Sequence, residues 1–240
     1  MHKPNGFFIT GTDTEVGKTL VSGALILKLR EQGIKALGFK PVVAGTYQDI
    51  HGAILNEDLE TLRIASNLGI DELSLCPYVL HRPAAPHLVA KEQDLQLEMG
   101  VIKHAFQNIQ NQAECVVVEG AGGLLIPLNA KEDLGDFAKE IHLPIILVVG
   151  MKLGCINHAL LTYEAIKVRQ FNITGWIANS LSTEMPLLQE NIKTLQDRIA
   201  APFLGHIPTL PKNLQKSDNS PYSIEALNFA AQHIQLPQNS

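Results

Sequence analysis

Residues 11–19 read Gly11-Thr12-Asp13-Thr14-Glu15-Val16-Gly17-Lys18-Thr19, and they directly follow the apolar run Phe7 to Thr10. From Lys18 onward, apolar residues recur at helical spacing until Gly33 stops the pattern. A glycine-rich turn between a strand and a helix is the context that a phosphate-binding P-loop requires. The N–H groups at such a helix start point at an anion, and the helix dipole favours negative charge there. This stretch therefore predicts a nucleotide-phosphate site.

The match to the pattern G-x-x-x-x-G-K-[ST] is imperfect, because its first glycine should fall at position 12, which is Thr12. The alternative is a chance Gly-Lys-Thr at a helix start. The strand–turn–helix context favours the functional interpretation. In that interpretation Gly17 lets the backbone approach phosphate, Lys18 reaches the β- and γ-phosphates, and the Thr19 hydroxyl binds Mg²⁺.

Apolar strands and amphipathic helices alternate along the rest of the chain. We predict strands at Phe7–Thr10, Ala36–Val43, Cys115–Val118, Pro144–Val149, Ile173–Asn179 and Phe203–Ile207. We predict helices at Lys18–Gln32, Asp58–Asn67, Leu95–Gln110, Ile156–Arg169, Leu187–Ile199 and Ser223–Ile234, and a loop at Pro77–Pro86. The expected fold is α/β and P-loop NTPase-like, with a mostly parallel sheet flanked by helices on both faces. We expect a single domain over residues 1–240.

Composition narrows the possible partners and compartment. The formal net charge of −5 argues against a nucleic-acid partner, because duplex-binding proteins usually carry a basic face. The sequence contains no apolar run of 18 residues, so we expect no membrane span. The three cysteines are odd in number and scattered, which indicates neither a disulfide framework nor a metal site and favours the cytoplasm.

Two carboxylates are candidates for the metal. Val116-Val117-Val118-Glu119 resembles the strand of P-loop enzymes that ends in an acid near Mg²⁺. Asp58 opens a predicted helix, although acids are common in a first helical turn for reasons of helix stability alone. A carboxylate between a buried strand and three glycines has little structural purpose, so Glu119 is the stronger candidate.

Two further clusters follow predicted strands, where parallel sheets bind ligands. Lys40 lies inside an apolar run, which is costly unless its ammonium reaches an anion at the sheet edge; the alternative is an exposed edge-strand lysine. Lys152 to His158 begin a helix whose N–H groups could bind a carboxylate, or could form an ordinary helix cap. We interpret Cys155 as a small core residue and Trp176 as a core residue.

Five motifs together resemble the dethiobiotin synthetase family, in the right order and at similar spacings over nearly the whole chain. They are Gly11 to Thr19, Lys40-Pro41-Val42, Glu119 to Gly123, Lys152 to His158 and Gly205-His206-Ile207-Pro208. The resemblance implies that 7,8-diaminononanoate, CO₂ (or bicarbonate) and ATP give dethiobiotin, ADP and phosphate. The implied route runs through a carbamate and a carbamic–phosphoric anhydride, as a step of biotin biosynthesis. It also implies a homodimer with active sites at the subunit interface.

The resemblance assigns site residues by matching position. The implied catalytic residues are Lys18, Lys40 and Thr14, and the implied Mg²⁺ ligands are Thr19, Asp58 and Glu119. The implied ATP contacts are Glu15, Val16, Gly17, Lys18, Thr19, Leu20, Asp58, Glu119, Gly120, Ala121, Gly122, Asn179, Ser180, Pro208, Thr209 and Leu210. The implied substrate contacts are Lys40, Ala44, Gly154, Cys155, Ile156 and Asn157, with the Gly154 to Asn157 segment supplied by the neighbouring subunit.

This sequence departs from the family at Ala44, where many relatives carry a hydroxyl next to the substrate; Thr46 or a water could replace that contact. Three other functions are possible for such a fold. A partitioning or septum-positioning ATPase would carry a signature lysine early in the loop, and Thr12 to Val16 contain none. A GTPase needs a guanine-reading motif, which Asn179 to Ser182 do not form. A corrinoid-type amidotransferase usually adds a glutaminase domain, for which 240 residues leave no room.

Overall fold

The protein is described here by a computed structural model that covers residues 6–69, 73–182 and 184–238. Its strands are β1 (Gly6–Gly11), β2 (Ala36–Phe39), β3 (Val42–Ala44), β4 (Tyr47–Gln48), β5 (Ile54–Leu55), β6 (Tyr78–Leu80), β7 (Cys115–Glu119), β8 (Ile145–Met151), β9 (Ile173–Ser180) and β10 (Phe203–Ile207). Its α-helices are α1 (Lys18–Glu31), α2 (Glu57–Ser66), α3 (Pro86–Glu92), α4 (Met99–Gln110), α5 (Leu134–Glu140), α6 (Cys155–Val168), α7 (Leu188–Arg198) and α8 (Ile224–Gln232), with a 3₁₀ turn at Lys212–Leu214.

Six strands form one parallel sheet in the order β10-β9-β8-β1-β7-β2. The inner strands β1, β7 and β8 are buried along their whole length, which explains why they read as continuous apolar runs rather than alternating ones. Helices pack against this sheet, so the predicted mostly parallel α/β fold is confirmed. Because all six strands run the same way, their carboxyl ends meet at one edge of the sheet.

Helix packing keeps the start of α1 in a fixed place. Helix α1 lies against both α2 and α8, and it approaches α8 so closely that a Cβ at Gly23 would come within 2.6 Å of Leu227. A cluster of four aromatic rings, in edge or tilted contact, fills the core near β1, β2, α4 and α5; its members are Phe8, Phe39, Phe106 and Phe137. The elements next to the carboxyl-terminal edge of the sheet are therefore tightly packed.

The predicted single strand Ala36–Val43 is wrong, because the structure divides it at Lys40 and Pro41 into β2 and β3. Pro41 has no N–H to donate to a sheet ladder. Strand β2 ends the main sheet beside β7, whereas β3 leaves it and pairs in parallel with β6. The Lys40 N–H donates to the Leu75 carbonyl at 2.9 Å instead of to a main-sheet strand. The break therefore leaves the Lys40 side chain at the end of β2.

Other corrections concern short elements. The stretch Pro77–Pro86, predicted as a loop, contains β6, whose three residues pair with β3. Helix α4 begins at Met99 rather than Leu95. The sequence interpretation missed α3, α5 and the two-residue strands β4 and β5, because elements this short have too few residues to show a period. Within the described ranges, no helix is both long and apolar enough to cross a lipid bilayer.

Candidate nucleotide and metal site

The phosphate loop connects β1 to α1 at the centre of the sheet edge. Gly17, the residue before α1, has a φ of 91°, a left-handed conformation that favours glycine. A Cβ there would also come within 2.1 Å of Asn179 Nδ2. Both the backbone conformation and the lack of space therefore require glycine at this position. Asn179 in turn donates from Nδ2 to the Val16 carbonyl at 2.9 Å, which fixes the loop against the end of β9.

The start of α1 is open to an anion. Among the described residues, no side chain caps this helix, and its first turn contains no acid. The N–H groups of the first turn are therefore available to a ligand. Thr14 and Glu15 are exposed beside them, whereas the side chains of Val16 and Leu20 are buried. Val16 and Leu20 can thus reach a nucleotide only through their backbone.

Lys18 is a buried cation close to this open helix end. Its side chain is almost fully buried, and Nζ donates to the Asp13 carbonyl at 2.8 Å. Burial and the like charge of Lys40 lower the pKa of Lys18 to about 8, against the opposing fields of Glu119 and Asp58. An ammonium held this way gains most from an anion that replaces its lost hydration.

The main cluster forms where β2 and β7 end and α2 begins. The Thr19 hydroxyl lies 2.7 Å from both Asp58 Oδ1 and Glu119 Oε1. Lys40 Nζ donates to Asp58 Oδ2 at 2.8 Å and to Glu119 Oε1 at 2.5 Å. Lys40 is only 3% exposed, so it is a buried cation in contact with two acids rather than an exposed edge-strand lysine. Residues up to 100 positions apart in the sequence meet here.

The pKa values of the two acids of this cluster shift in opposite directions, although both acids contact the same lysine. Burial raises the pKa of Asp58, but the charge of Lys40 and the bonds from Lys40 and Thr19 outweigh it and hold the pKa at about 2. Burial also raises the pKa of Glu119, and there it prevails despite Lys40. The difference follows from exposure, because the Glu119 side chain is 1% exposed and the Asp58 side chain 29%. Lys40 itself has a raised pKa: burial lowers it, and the two acids more than compensate.

The donor set fits a magnesium ion. The described residues contain no group of three or more His, Cys, Asp or Glu side chains that could hold a metal by themselves. Mg²⁺ needs fewer, because it binds hard oxygen ligands and keeps several waters. Glu119 Oε2 is a buried oxygen without a hydrogen-bond partner among the described residues, an acceptor that a cation would satisfy. Two carboxylates, each within hydrogen-bond distance of the Thr19 hydroxyl, thus form a suitable oxygen set with it.

The loop after β7 lies next to the phosphate loop. The Gly120 N–H donates to the Ile9 carbonyl at 2.9 Å, and the Gly120 carbonyl lies 3.5 Å from Lys40 Nζ. A Cβ at Gly122 would lie 3.6 Å from the Thr14 hydroxyl. The predicted contacts Gly120, Ala121 and Gly122 therefore border the same site as Thr14.

A groove of about 500 Å³ lies beyond the ends of β9 and β10. Two of the residues predicted to contact the base, Thr209 and Leu210, line it. Sequence interpretation missed the other lining residues, Leu181, Ser182, Glu184, Pro211, Lys212 and Gln215. Their only signal in the sequence was their position after a predicted strand. Of the remaining predicted residues, Asn179 contacts the phosphate loop, Ser180 Oγ lies 2.8 Å from His206 Nε2, and Pro208 is half-buried after β10.

The start of α6 lies close to the phosphate loop but outside the main cluster. Lys152 Nζ lies 3.1 Å from Asp13 Oδ2, a contact in which both side chains are nearly half exposed. Gly154 precedes the helix with a φ of 94°, and no side chain of the described residues caps this end. Leu153 is 99% exposed, and Asn157 is also exposed. Cys155 is buried, which raises the pKa of its thiol and agrees with the prediction of a core residue.

Some predicted substrate residues are not brought together within this chain. Ala44 is half-buried at the end of β3, and Ile156 is half-buried in the first turn of α6. Within the described ranges, no hydrogen bond links the Lys40 cluster to Ala44, Gly154, Ile156 or Asn157. Trp176 is fully buried and packs on Phe203 with ring centroids 4.6 Å apart, as predicted for a core residue.

Two solved structures have a fold similar to that of this chain. A ParA family ATPase from Chlorobium tepidum superposes with a TM-score of 0.55 at 14% identity, over 97% of this chain and all of that one. The septum site-determining protein MinD from Pyrococcus horikoshii, solved with Mg-ADP, gives a TM-score of 0.55 at 17% identity, over 95% and 94% of the two chains. At this level of identity, these likenesses support a P-loop fold and nothing finer.

Sequence relatives are far more similar. A family model described as an AAA domain matches residues 5–217. A protein of Aromatoleum aromaticum named ATP-dependent dethiobiotin synthetase BioD is 48% identical over 87% of this chain and 92% of that protein. Proteins with the same name from Ralstonia nicotianae and a Janthinobacterium species are 45% and 43% identical, over 85% of this chain and 89% and 87% of theirs. This chain therefore belongs to the ATP-dependent dethiobiotin synthetase family.

Proposed function

We propose that this chain is an ATP-dependent dethiobiotin synthetase, a ligase that closes the ureido ring of dethiobiotin from 7,8-diaminononanoate, CO₂ and ATP. Family membership supports this activity. One structural observation carries it: two buried lysines, two carboxylates and a hydroxyl converge beside an uncapped helix start. We propose that all 240 residues form one P-loop domain that acts in the cytoplasm, an assignment that free cysteines support.

The reaction proceeds in three steps in this proposal. One substrate amine attacks CO₂, loses a proton and becomes a carbamate. A carbamate oxygen then attacks the γ-phosphorus in line, the bond from that phosphorus to the bridging oxygen breaks, and ADP leaves. The second amine attacks the carbonyl carbon of the mixed anhydride, the bond from that carbon to the phosphate oxygen breaks, and phosphate leaves as the ring closes with loss of a proton. No nucleophilic side chain is required.

The side chains of the site position and neutralise reactants that repel each other. Carbamate and triphosphate are both anions, and bringing them together needs fixed positive charge in a cleft that excludes water. Lys18 and the first N–H groups of α1 face the triphosphate, and Thr14 lies where the loop meets Gly122. Lys40, at the end of β2, is the cation placed to hold the carbamate. Phosphoryl transfer depends mainly on such positioning.

Mg²⁺ completes the proposed site. Thr19, Asp58 and Glu119 would hold it, and when bound it neutralises charge on the triphosphate oxygens. Glu119 Oε2, a buried oxygen that has no hydrogen-bond partner in the described part of the chain, supports this assignment. Asn179, Ser180 and residues 208–210 would contact the adenosine at the groove beyond β9 and β10.

A second copy of the chain would supply the rest of the substrate site. We propose that the helix start at Gly154 to Asn157 binds the substrate carboxylate of the neighbouring subunit. Two observations support this: the N–H groups there have no side-chain cap in the described chain, and Leu153 beside them is almost fully exposed. An apolar side chain this exposed beside a ligand site favours burial against a partner.

The activity is tested by measuring ADP release and dethiobiotin by mass spectrometry, with and without diaminononanoate plus bicarbonate. We expect ADP to form in equal amount with dethiobiotin and only when both substrates are present. ATP hydrolysis that needs neither substrate, and is stimulated by DNA or lipid, would instead support a switch ATPase, the class whose fold the solved relatives share. The assay separates the two because their triggers differ.

The shared site is tested by mixing two variants that should each be inactive, Lys40→Met and Asn157→Asp, the second of which places a negative charge where the substrate carboxylate would bind. In a mixed dimer one site combines an intact Lys40 with an intact Asn157, and the other carries both defects. Random mixing makes half of the dimers mixed, so about a quarter of all sites should regain activity. Activity that stays at the level of the separate variants would contradict the shared site.

A further inference from the structure

Two of the three proposed metal ligands already contact a cation, the ammonium of Lys40. Its Nζ donates to Asp58 Oδ2 and Glu119 Oε1, and the Thr19 hydroxyl bridges the same two carboxylates. A divalent ion that bound between Asp58, Glu119 and Thr19 would therefore compete with Lys40 for the acids. The structure thus contains an internal counterion at the position that the proposed function assigns to a metal.

The charge balance of the cluster opposes a metal that arrives alone. Lys18 and Lys40 contribute two positive charges, Asp58 and Glu119 two negative charges, and this group of four is neutral. Both lysines are buried, being 6% and 3% exposed. A bare divalent ion would leave two uncompensated positive charges in a poorly solvated place, which is costly. A triphosphate brings enough negative charge to compensate both the ion and the lysines.

The Lys40 side chain can change its conformation while the Lys40 backbone stays in place. Its N–H is bonded to the Leu75 carbonyl, and its side chain is a flexible four-carbon chain. Its ammonium already lies 3.5 Å from the carbonyl of Gly120, in the same loop as Gly122, which borders Thr14. The flexible side chain therefore allows the ammonium to exchange the carboxylates for a bound anion without movement of the backbone.

We propose that Lys40 closes the Asp58–Glu119–Thr19 site to free divalent cations, so that metal binds there only together with the triphosphate. The incoming anions draw the Lys40 ammonium away from the carboxylates, and the metal takes its place. Lys40 thus selects the metal–nucleotide complex over the free ion, in addition to binding the carbamate. This inference rests on the proposed function, because it assumes that the site receives a metal and a nucleotide.

Manganese binding to the nucleotide-free protein tests the inference, read from the loss of the free Mn²⁺ signal in electron paramagnetic resonance. The wild-type chain should bind Mn²⁺ weakly. Lys40→Met, which keeps the side-chain volume and removes the charge, should bind it at least about tenfold more tightly. Lys152→Ala is the matched control, since it removes one lysine charge near the same loop without touching either proposed metal-binding acid. The control should behave like the wild type.

A double variant, Lys40→Met with Glu119→Gln, locates the new site and should lose the gained affinity. Mg²⁺ should raise the melting temperature of Lys40→Met but not that of the wild type. Tight binding of Mn²⁺ alone by the wild type, or no gain in a folded Lys40→Met protein, would overturn the inference. If Lys40→Met does not fold, Lys40→Gln replaces it in the same titration, because its amide side chain also lacks the charge. The dethiobiotin assay on the wild type does not depend on these titrations. Failure of the proposed function would appear in that assay, whereas failure of the inference about Lys40 would appear in the titrations.

Discussion

Two regions at the same sheet edge contrast in how far the chain completes them. The cluster of Lys18, Lys40, Asp58 and Glu119 is buried apart from the partly exposed Asp58, and its two positive and two negative charges compensate one another within one chain. The start of α6 is exposed: Leu153 projects into solvent, and its helix end has no side-chain cap among the described residues. Both regions lie near the phosphate loop, and the exposed contact between Asp13 of that loop and Lys152 is one link between them.

The contrast indicates different roles for the two regions. A buried cluster of charges is costly to assemble and is maintained where chemistry needs fixed charge. An exposed apolar residue beside free N–H groups has no such cost and gains its contacts only from a partner. The first region therefore contains what the proposed reaction needs from one chain, and the second what it needs from another. Five predictions test whether the two regions differ in this way.

The largest effect should come from the buried cluster. We expect Lys40→Met to lower turnover by about 10² or more, because a preorganised charge is lost where the carbamate meets the γ-phosphate. Steady-state assays at saturating substrates measure the effect. Near-normal turnover in the folded variant would remove Lys40 from the mechanism and with it the chemical role of the buried cluster.

The next effect should come from the exposed region. Leu153→Asp places a charge where a partner would bury an apolar side chain, so we expect the dimer dissociation constant to rise by about tenfold or more. Sedimentation equilibrium gives the constant, and activity should fall with dilution. Val168→Asp, at the exposed far end of α6, is the control and should leave association unchanged. A wild-type protein that sediments as a monomer would contradict the proposed dimer.

A single methyl group added at Gly17 of the phosphate loop should weaken nucleotide binding. Gly17→Ala forces a left-handed φ on alanine and a contact with Asn179, so we expect nucleotide affinity to fall by about tenfold. Gly33→Ala is the matched control, because its φ of 78° is also left-handed but no atom of residues 6–69, 73–182 or 184–238 lies within 4 Å of the new Cβ. The control should lose about 1 kcal/mol of stability and keep its nucleotide affinity, as calorimetry can show. Equal nucleotide affinities in the two variants would remove the special role of Gly17.

Nucleotide binding should take up a proton when the pH lies just above 8. The pKa of Lys18 is lowered to about 8 in the free protein, mainly by burial, and a bound triphosphate should raise it again. Affinity should therefore fall as pH rises through 8. In the free protein the unfolded chain holds more protons between pH 8 and 10.5, so stability rises with pH over that window. Calorimetry in buffers of different ionisation enthalpy measures the uptake, which should vanish in Lys18→Met.

The smallest effect should come from the contact that joins the two regions. Lys152→Ala breaks an ion pair between side chains that are nearly half exposed, so we expect stability to change by less than about 1 kcal/mol. Thermal unfolding at low and high salt measures the change, which salt should reduce. A much larger loss would mean that the two regions act as one structural unit.

Much of the site was predictable because short motifs report local structure. The phosphate loop at Gly11 to Thr19 could be assigned since a strand, a glycine-rich turn and a helix follow one another directly in the sequence. Glu119 could be singled out because a buried strand ended in an acid followed by glycines. Predicted roles in binding metal, nucleotide and substrate stay predictions, although the structure brings Thr19, Asp58 and Glu119 together.

The remaining features depend on contacts between distant residues. The division of the Ala36–Val43 stretch could not be predicted, because the partner strand of β3 is β6, whose residues come 36 positions later in the chain. The groove beyond β9 and β10 was largely missed, since its lining comes from two loops that are adjacent only in space. Lys40 was recognised as costly, but its two acid partners were not identified as such.

The main-sheet strands, the longer helices, the glycine-rich loop and the family could all be inferred from the sequence, because periodicity and motifs are properties of neighbouring residues. The position of the Lys40 ammonium between Asp58 and Glu119 could be seen only in the folded chain. Charge compensation in a buried site depends on distances of a few ångströms between groups far apart in the chain, and those distances exist only once the strands have assembled.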